Sequence, residues 1–294
     1  MPCYHPMKAM KSSSGVVVLP STAKIFNLTL ACGQCHGCRL ERSRQWAIRC
    51  MHEASLHESN SFITLTYSDE NCPLDGGLHH RDFQRFMKRV RKYANKPVRY
   101  YMAGEYGGKL GRPHFHALLF GLDFPDRDPW QKSPSGSILY RSPTLERLWT
   151  DGFSTIGDVT FESAAYVARY VMKKVTGNLA KKAYDVVAID TGEIISRRPE
   201  YNKMSLKPGI GGDWLDKYFS DVFPHDRVVI NGTESKPPRY YDKKLKRVDE
   251  DLYDLIKNSR NVDMRDNWRD NTPQRLAAKE AVSIAATSQL KRKL

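Results

Sequence analysis

"VRYYMAGEYGGKLGRPHFHALLFG", residues 98–121, decides how this chain is read. Two runs rich in aromatic and apolar residues flank a glycine-rich connection, which is the pattern of a β-hairpin. The first strand is expected over residues 98–106. The return strand starts at His114, after a connection spanning 107–113. Side chains alternate faces along a strand, so His114 and His116 point the same way while Phe115, Ala117 and Leu119 pack the other face. Two neutral imidazoles at i and i+2 can share one cation, and a catalytic metal needs a third protein ligand. Closing the hairpin brings Glu105 back beside His114 and supplies a carboxylate.

Working outward, "SFITLTYSD" alternates Phe62, Thr64 and Thr66 against Ile63, Leu65 and Tyr67. It reads as a strand near the centre of a sheet. Helices are expected at about 38–57 and 80–95, the second with Phe83, Phe86, Met87 and Val90 on one stripe. "SPTLERLW" is a short helix with Ser142 as N-cap and Pro143 at its first position. "GFSTIGDVT" is a strand, and "FESAAYVARYVMKKVTG" is a helix closed by Gly177. "NCPLDGG", "DFPDRDPWQKSPSGS" and "LKPGIGGDW" read as loops. Residues 1–37 read as irregular with one short strand at 24–30, and a further hairpin is expected around 190–192. Helices follow at "DLYDLIKNS" and "TPQRLAAKEAVSIAATSQL". Hairpins without regular βαβ alternation imply an α+β fold: a central antiparallel sheet flanked by helices, with a helical C-terminal tail.

The charge balance points to a partner. Lys plus Arg number 47 against 33 Asp plus Glu, a net +14. The basic residues gather in "CRLERSRQWAIRC" and "FQRFMKRVRKYANK", both helical in period, and such a footprint favours nucleic acid. No run of 18 apolar residues exists, so no spanning helix and no membrane role are expected. "GVVVLP" is too short for a signal-peptide core, and a soluble intracellular protein follows as the expectation.

Six cysteines are present, three of them in "CGQCHGC" as Cys32, Cys35 and Cys38. Thiolates at that spacing can wrap a structural zinc (Zn2+), which takes four ligands. Cys3, His36, Cys50 or His5 can supply the fourth, and Cys3 is taken as the candidate. The iron–sulfur pattern would need another Cys followed by Pro, and residues 39–42 offer none. Buried free thiols are the alternative.

"YVARYVMKK" sets Tyr166 and Tyr170 four apart on one helix face, with Lys173 continuing that face and Lys174 beside it. Two phenols near an H-x-H metal have an obvious task, attack on phosphorus. A free phenol, with pKa about 10, is a poor nucleophile at neutral pH and gains from a cation and a nearby lysine. No G-x-S-x-G elbow, H-E-x-x-H or Walker A pattern competes.

The order "FITLTY", "HFH", "YVARYVMK" resembles the HUH endonucleases, the rolling-circle replication initiators, in their two-tyrosine class. With "CGQCHGCR", "GEYGGKLGRPHFHALLFG" and "MSLKPGIGGDW", the stretch from about 32 to 218 is similar to the initiators of the gokushovirus branch of the Microviridae. The resemblance implies His114, His116 and Glu105 as ligands of magnesium (Mg2+) or manganese (Mn2+). It implies Tyr166 and Tyr170 as alternating nucleophiles and Lys173 as the motif lysine. It also implies an RRM-like HUH palm as the sheet, nicking of single-stranded origin DNA through a 5′-phosphotyrosine link, and later rejoining of the displaced strand. Host DNA polymerase and helicase are the implied partners, and the host cytoplasm the implied location. Three segments follow: a Cys-rich segment with a basic helix (1–59), the endonuclease core (60–225) and a charged, mainly helical tail (226–294). Arg42, Arg44, Lys88, Arg89, Lys174 and Lys207 are the candidate DNA contacts. The rival readings are a relaxase or transposase on the same motifs, and a non-catalytic zinc-stabilised nucleic-acid-binding protein.

Overall fold

The computed structural model describes residues 3–12, 17–18, 26–108, 111–133, 136–173, 183–187 and 192–289, with backbone only at 17–18 and 170–173. Residues 44–241 form one compact unit; residues 1–43 with 242–291 form another. No helix among the described residues is long and apolar enough to cross a membrane.

The elements run in the order β1 (Met7–Lys11), β2 (Val17–Val18), β3 (Leu28–Leu30), α1 (His36–Ala54), β4 (Asn60–Tyr67), α2 (His80–Ala94), β5 (Arg99–Tyr106) and β6 (Pro113–Phe120). Then come β7 (Asp128–Lys132), β8 (Ile138–Arg141), α3 (Pro143–Leu148), β9 (Gly152–Gly157), α4 (Phe161–Lys173), β10 (Asp185–Val187), β11 (Ile194–Ser196) and β12 (Tyr201–Met204). The chain continues through α5 (Gly212–Lys217), α6 (Phe219–Val222), β13 (Val228–Ile230), β14 (Thr233–Ser235), α7 (Arg239–Val248), α8 (Glu250–Asp266) and α9 (Pro273–Gln289).

The larger unit is built on a seven-stranded sheet of order β12-β5-β6-β4-β9-β8-β7, antiparallel throughout. The expected hairpin is β5–β6, with Glu105 paired to His114 in register. The "FITLTY" strand is β4, in the middle of the sheet, where its β-branched and aromatic residues pack on both faces. On one face Ile63, Leu65, Phe115, Ala117 and Leu119 join Phe83, Phe86, Met87 and Val90 of α2, with Leu145 and Trp149 from the α3 region. On the other, Phe62, Tyr101, Leu118 and Phe120 meet Ala47, Cys50 and Ala54 of α1 and Ala164, Ala165, Val167 and Ala168 of α4. Small residues on both helices let their backbones lie close to the sheet.

Local signals set the helix ends. Asn95 takes a left-handed conformation and closes α2. Ser142 caps α3 by accepting from the Leu145 N–H at 3.1 Å. Thr160 and Ser163 cap α4 reciprocally: the Thr160 N–H donates to Ser163 Oγ at 2.8 Å, and the Ser163 N–H to Thr160 Oγ1 at 3.2 Å. The expected closure at Gly177 lies outside the described residues.

Three expectations need correction. The "DFPDRDPWQKSPSGS" stretch is no plain loop: Asp128–Lys132 forms edge strand β7, paired with β8. Its residues are all exposed and it carries Pro129, so neither a period of two nor a β-former run announces it. The N-terminal segment is less irregular than expected, because β1 pairs with both β2 and β3. "YNKM", outside every expected strand, is β12, the opposite edge of the large sheet.

In the smaller unit Arg260 grips the Asp242 carboxylate through two bonds of 2.9 and 3.0 Å, and His36 Nε2 lies 2.8 Å from the Thr287 hydroxyl.

Candidate active site and cysteine cluster

Directly paired residues of antiparallel strands point to the same face. One row of the sheet therefore carries Glu105, His114, Thr66 and Phe153, contributed by β5, β6, β4 and β9. The next row carries Ala103, His116, Thr64 and Thr155, and the third Tyr101, Leu118, Phe62 and Gly157. Helix α4 covers the third row. Its Tyr166 projects to the second, where the phenol ring meets the His116 ring edge-on with centroids 5.4 Å apart. Phe62 packs edge-on against the same phenol at 6.3 Å.

Both imidazoles are oriented by hydroxyls. His114 Nδ1 lies 3.0 Å from Thr66 Oγ1, and His116 Nδ1 lies 2.9 Å from Thr64 Oγ1. Hydroxyl partners at Nδ1 fix the orientation of both rings, as outer-shell partners do for metal-binding histidines. His116 Nε2 is 3.0 Å from Glu105 Oε1, with the two residues 6% and 5% exposed. At that distance the ring and the carboxylate form a buried side-chain hydrogen bond. In donor type the trio suits a divalent ion, but its ligand atoms do not all lie within 4.8 Å of one another in this arrangement. Glu105 thus faces His114 in backbone register but bonds His116 through its side chain. Gly107 lies so near the other ring that a Cβ there would stand 2.7 Å from His114 Nε2.

A cavity of about 240 Å3 opens over these rows, lined among others by Phe62, Thr64, His116, Trp130, Phe153 and Tyr166. The structure therefore brings together His114, His116, Glu105 and Tyr166. The side chains of Tyr170 and Lys173 lie outside the described residues, as does all of Lys174; the backbone at 170 and 173 continues α4. Lys88 and Arg89 belong to α2, which packs on the opposite sheet face, and Arg89 Nε donates to the Leu148 carbonyl at 2.6 Å. Arg44 Nη1 donates to the Lys236 carbonyl at 3.0 Å, Arg42 Nη2 to the Gly33 carbonyl at 3.2 Å, and Lys207 is exposed. The glycines beside Lys207 make room for tyrosines: a Cβ at Gly209 or Gly211 would stand 2.8 Å from the Tyr240 hydroxyl or 2.7 Å from that of Tyr241. Thr64 and Thr66 escaped sequence reasoning as site residues. Their signal was present, since they alternate on the β4 face that pairs with His116 and His114.

In the smaller unit the sulfurs of Cys3, Cys32, Cys35 and Cys38 lie within 4.8 Å of one another. Among the described residues this is the only group of three or more metal-ligating side chains drawn together so tightly. Cys3 and Cys35 Sγ are 4.0 Å apart, near the roughly 3.8 Å edge of a tetrahedron with 2.3 Å metal–sulfur bonds. Cys3 thus completes the set. Cys50 is fully buried beside Ala47, His36 pairs with Thr287, and His5 with Glu280. Although burial works against it, hydrogen bonds from the Cys38 and Tyr4 backbones and from neighbouring thiols lower the Cys35 thiol to about 6. Burial first, then the Cys3 and Cys35 thiols, push Cys38 up to about 12, against a backbone bond from Gly33. The cluster can bind a metal ion.

The family model for the replication-associated protein ORF2/G2P matches residues 60–175, which run from β4 through α4 and hold every residue of the sheet site. The chain is 35% identical over 254 residues to the replication-associated protein VP4 of Bdellovibrio phage phiMH2K, covering 82% of this chain and 76% of that one. It is 33% identical to the replication-associated protein ORF2 of Spiroplasma virus 4, over 80% of this chain and 74% of that one. It is 32% identical to the replication-associated protein ORF4 of Chlamydia phage 1, over 76% of this chain and 55% of that one. All three come from Microviridae. No solved structure gives a significant match.

Proposed function

The chain belongs to the replication-associated proteins ORF2/G2P of phages, and from that premise we propose that it nicks single-stranded origin DNA by tyrosine transesterification. The observation that carries this reading is the phenol of Tyr166 set edge-on against a histidine that shares its face with a second histidine and a buried carboxylate.

In the proposed reaction the Tyr166 oxygen attacks a backbone phosphorus. The P–O3′ bond breaks, the phenolic proton is lost, and a proton reaches the leaving 3′ oxygen. The 5′ end stays on the protein as a phosphotyrosine. His114, His116 and Glu105 would hold a magnesium or manganese ion, which when bound polarises the scissile phosphate and lowers the cost of its added charge. Thr64 and Thr66 hold the two rings in orientation. Tyr170, four residues on, is the proposed second nucleophile, which attacks the regenerated junction after one round. The displaced strand is then closed as the free 3′ hydroxyl attacks the first phosphotyrosine. Bond energy is conserved in the covalent link, so no ATP is needed. A host polymerase extends the 3′ end and a host helicase opens the duplex. The origin DNA is the proposed partner, and Lys207 and Arg44 are proposed backbone contacts. The four cysteines are proposed to hold structural zinc.

The test is a labelled single-stranded origin oligonucleotide with manganese, run on a denaturing gel. The expected result is an adduct, carrying the label from the 3′ side of the nick, that survives denaturation. It disappears with EDTA and in Tyr166→Phe/Tyr170→Phe. Binding without any adduct points instead to the non-catalytic alternative.

A further inference from the structure

Two large aromatic side chains stand open to solvent at the mouth of the cavity over His116. Phe153 is 59% exposed and Trp130 is 51% exposed. The Arg141 guanidinium lies 5.7 Å from the Trp130 ring centre, and even so half of that ring faces solvent, as does more than half of Phe153. Phe153 sits in the same cross-strand row as Thr66, His114 and Glu105, two strands from His114, or roughly 10 Å. Trp130 gets there by a different device. Pro129 pairs with Tyr140 and Gln131 with Leu139, so Trp130 is the extra residue of a β-bulge in edge strand β7. Bulges re-aim side chains, and this one sets Trp130 in the cavity wall with Gln131. Between the aromatics the floor is polar, with Thr64, Thr66 and Thr155.

We infer that Trp130 and Phe153 form a base clamp that stacks an unpaired nucleobase of single-stranded DNA beside Tyr166 and so holds the strand at the cleavage position. The inference rests on the nicking reading of the same site. Three observations favour a base over another occupant. Flat aromatic faces accept any base by stacking, as in single-strand binders generally. The threonine hydroxyls and the Gln131 amide between them can bond a base edge. The chain's +14 charge suits a strand whose phosphates remain outside the clamp. A duplex cannot use this site, because its bases are stacked on each other.

The experiment uses the full chain in EDTA, where nothing is cleaved. Fluorescence anisotropy compares a mixed-sequence single strand of about 20 nucleotides with a fully abasic strand of equal length. Trp130→Ala and Phe153→Ala should each weaken binding of the normal strand roughly 5- to 100-fold. Neither should alter binding of the abasic strand. Trp130→Phe and Phe153→Tyr should retain affinity, and Trp130→Phe should lose most of the tryptophan quenching seen when the normal strand binds. Unchanged thermal melts exclude misfolding. Wild-type affinity in both alanine variants, or equal losses on normal and abasic strands, overturns the clamp. A manganese adduct assay in parallel separates the two ideas. Adducts with unaltered binding in the alanine variants sink the clamp alone. Base-dependent losses without any adduct sink the nicking reading alone.

Discussion

Gly107 offers a perturbation that removes no catalytic group. A Cβ at that position would stand 2.7 Å from His114 Nε2, where ordinary contacts begin near 3.4 Å. The ring must therefore retreat by about 0.7 Å or turn on its own bonds, since packing does not tolerate the overlap. Because the clash falls on the far end of a side chain, Gly107→Ala should fold normally, within about 0.5 kcal/mol of the parent. Its cost falls on geometry instead. A misplacement approaching 1 Å can cost up to about 100-fold in rate, so single-turnover adduct formation should slow by roughly 10- to 100-fold. Gly108 is the matched control, where a Cβ would meet no atom of the described residues within 4 Å. Gly108→Ala should stay within about 2-fold of the parent rate. The assay is the manganese-dependent time course with excess protein, alongside urea melts. Full activity in Gly107→Ala with an intact fold would show that the seated position of His114 does not matter, and the reasoning about the site would be refuted.

Further outcomes follow from packing and titration. Phe115 is fully buried against Phe83, Tyr67 and Trp149, on the sheet face opposite the histidines, so Phe115→Ala should cost about 3–5 kcal/mol in a denaturant melt. His52 is buried, stacked on Trp214 and 2.7 Å from the Tyr241 hydroxyl, and burial lowers its pKa to about 3. The unfolded chain takes up this proton near pH 6.5 and the folded chain only near 3, so the unfolded state binds more protons in between. Stability is full above pH 6.5 and should fall by about 1.4 kcal/mol per unit on acidification toward 3, a slope that His52→Gln should remove from urea melts. Purified protein should carry one zinc by elemental analysis under reducing conditions. Cys35→Ser should lose the zinc and melt at lower temperature.

The hairpin and its register were legible because one period of two runs through both strands and a glycine-rich turn joins them. That put Glu105 opposite His114, and the backbone agrees. The side-chain partner was not legible: Glu105 reaches His116, one pleat along, because reach depends on rotamers rather than on register. The orienting threonines needed the pairing of β4 with β6, a contact between residues about 50 positions apart that composition does not encode. Cys32, Cys35 and Cys38 declared themselves by spacing. Cys3 did not, since it arrives from the far end of a strand pair. Strands β7 and β12 are edges of the sheet, and edges bury too little to leave an apolar pattern. The aromatic Trp130 was hidden with β7, because a bulge, not a period, aims it.

In the proposed reaction a tyrosine of α4 becomes covalently joined to DNA. Trypsin separates the two phenols: Tyr166 falls in the fragment 148–169 and Tyr170 in 170–173. Mass spectrometry of the DNA-linked fragments, after reaction with a single-stranded origin oligonucleotide and manganese, reads the linkage directly. A nucleotide remnant is expected on the 148–169 fragment at Tyr166. In Tyr166→Phe the remnant is expected on the 170–173 fragment instead. A DNA-free digest from protein that nonetheless cuts the strand would mean that water, not tyrosine, is the nucleophile, and the account would be wrong.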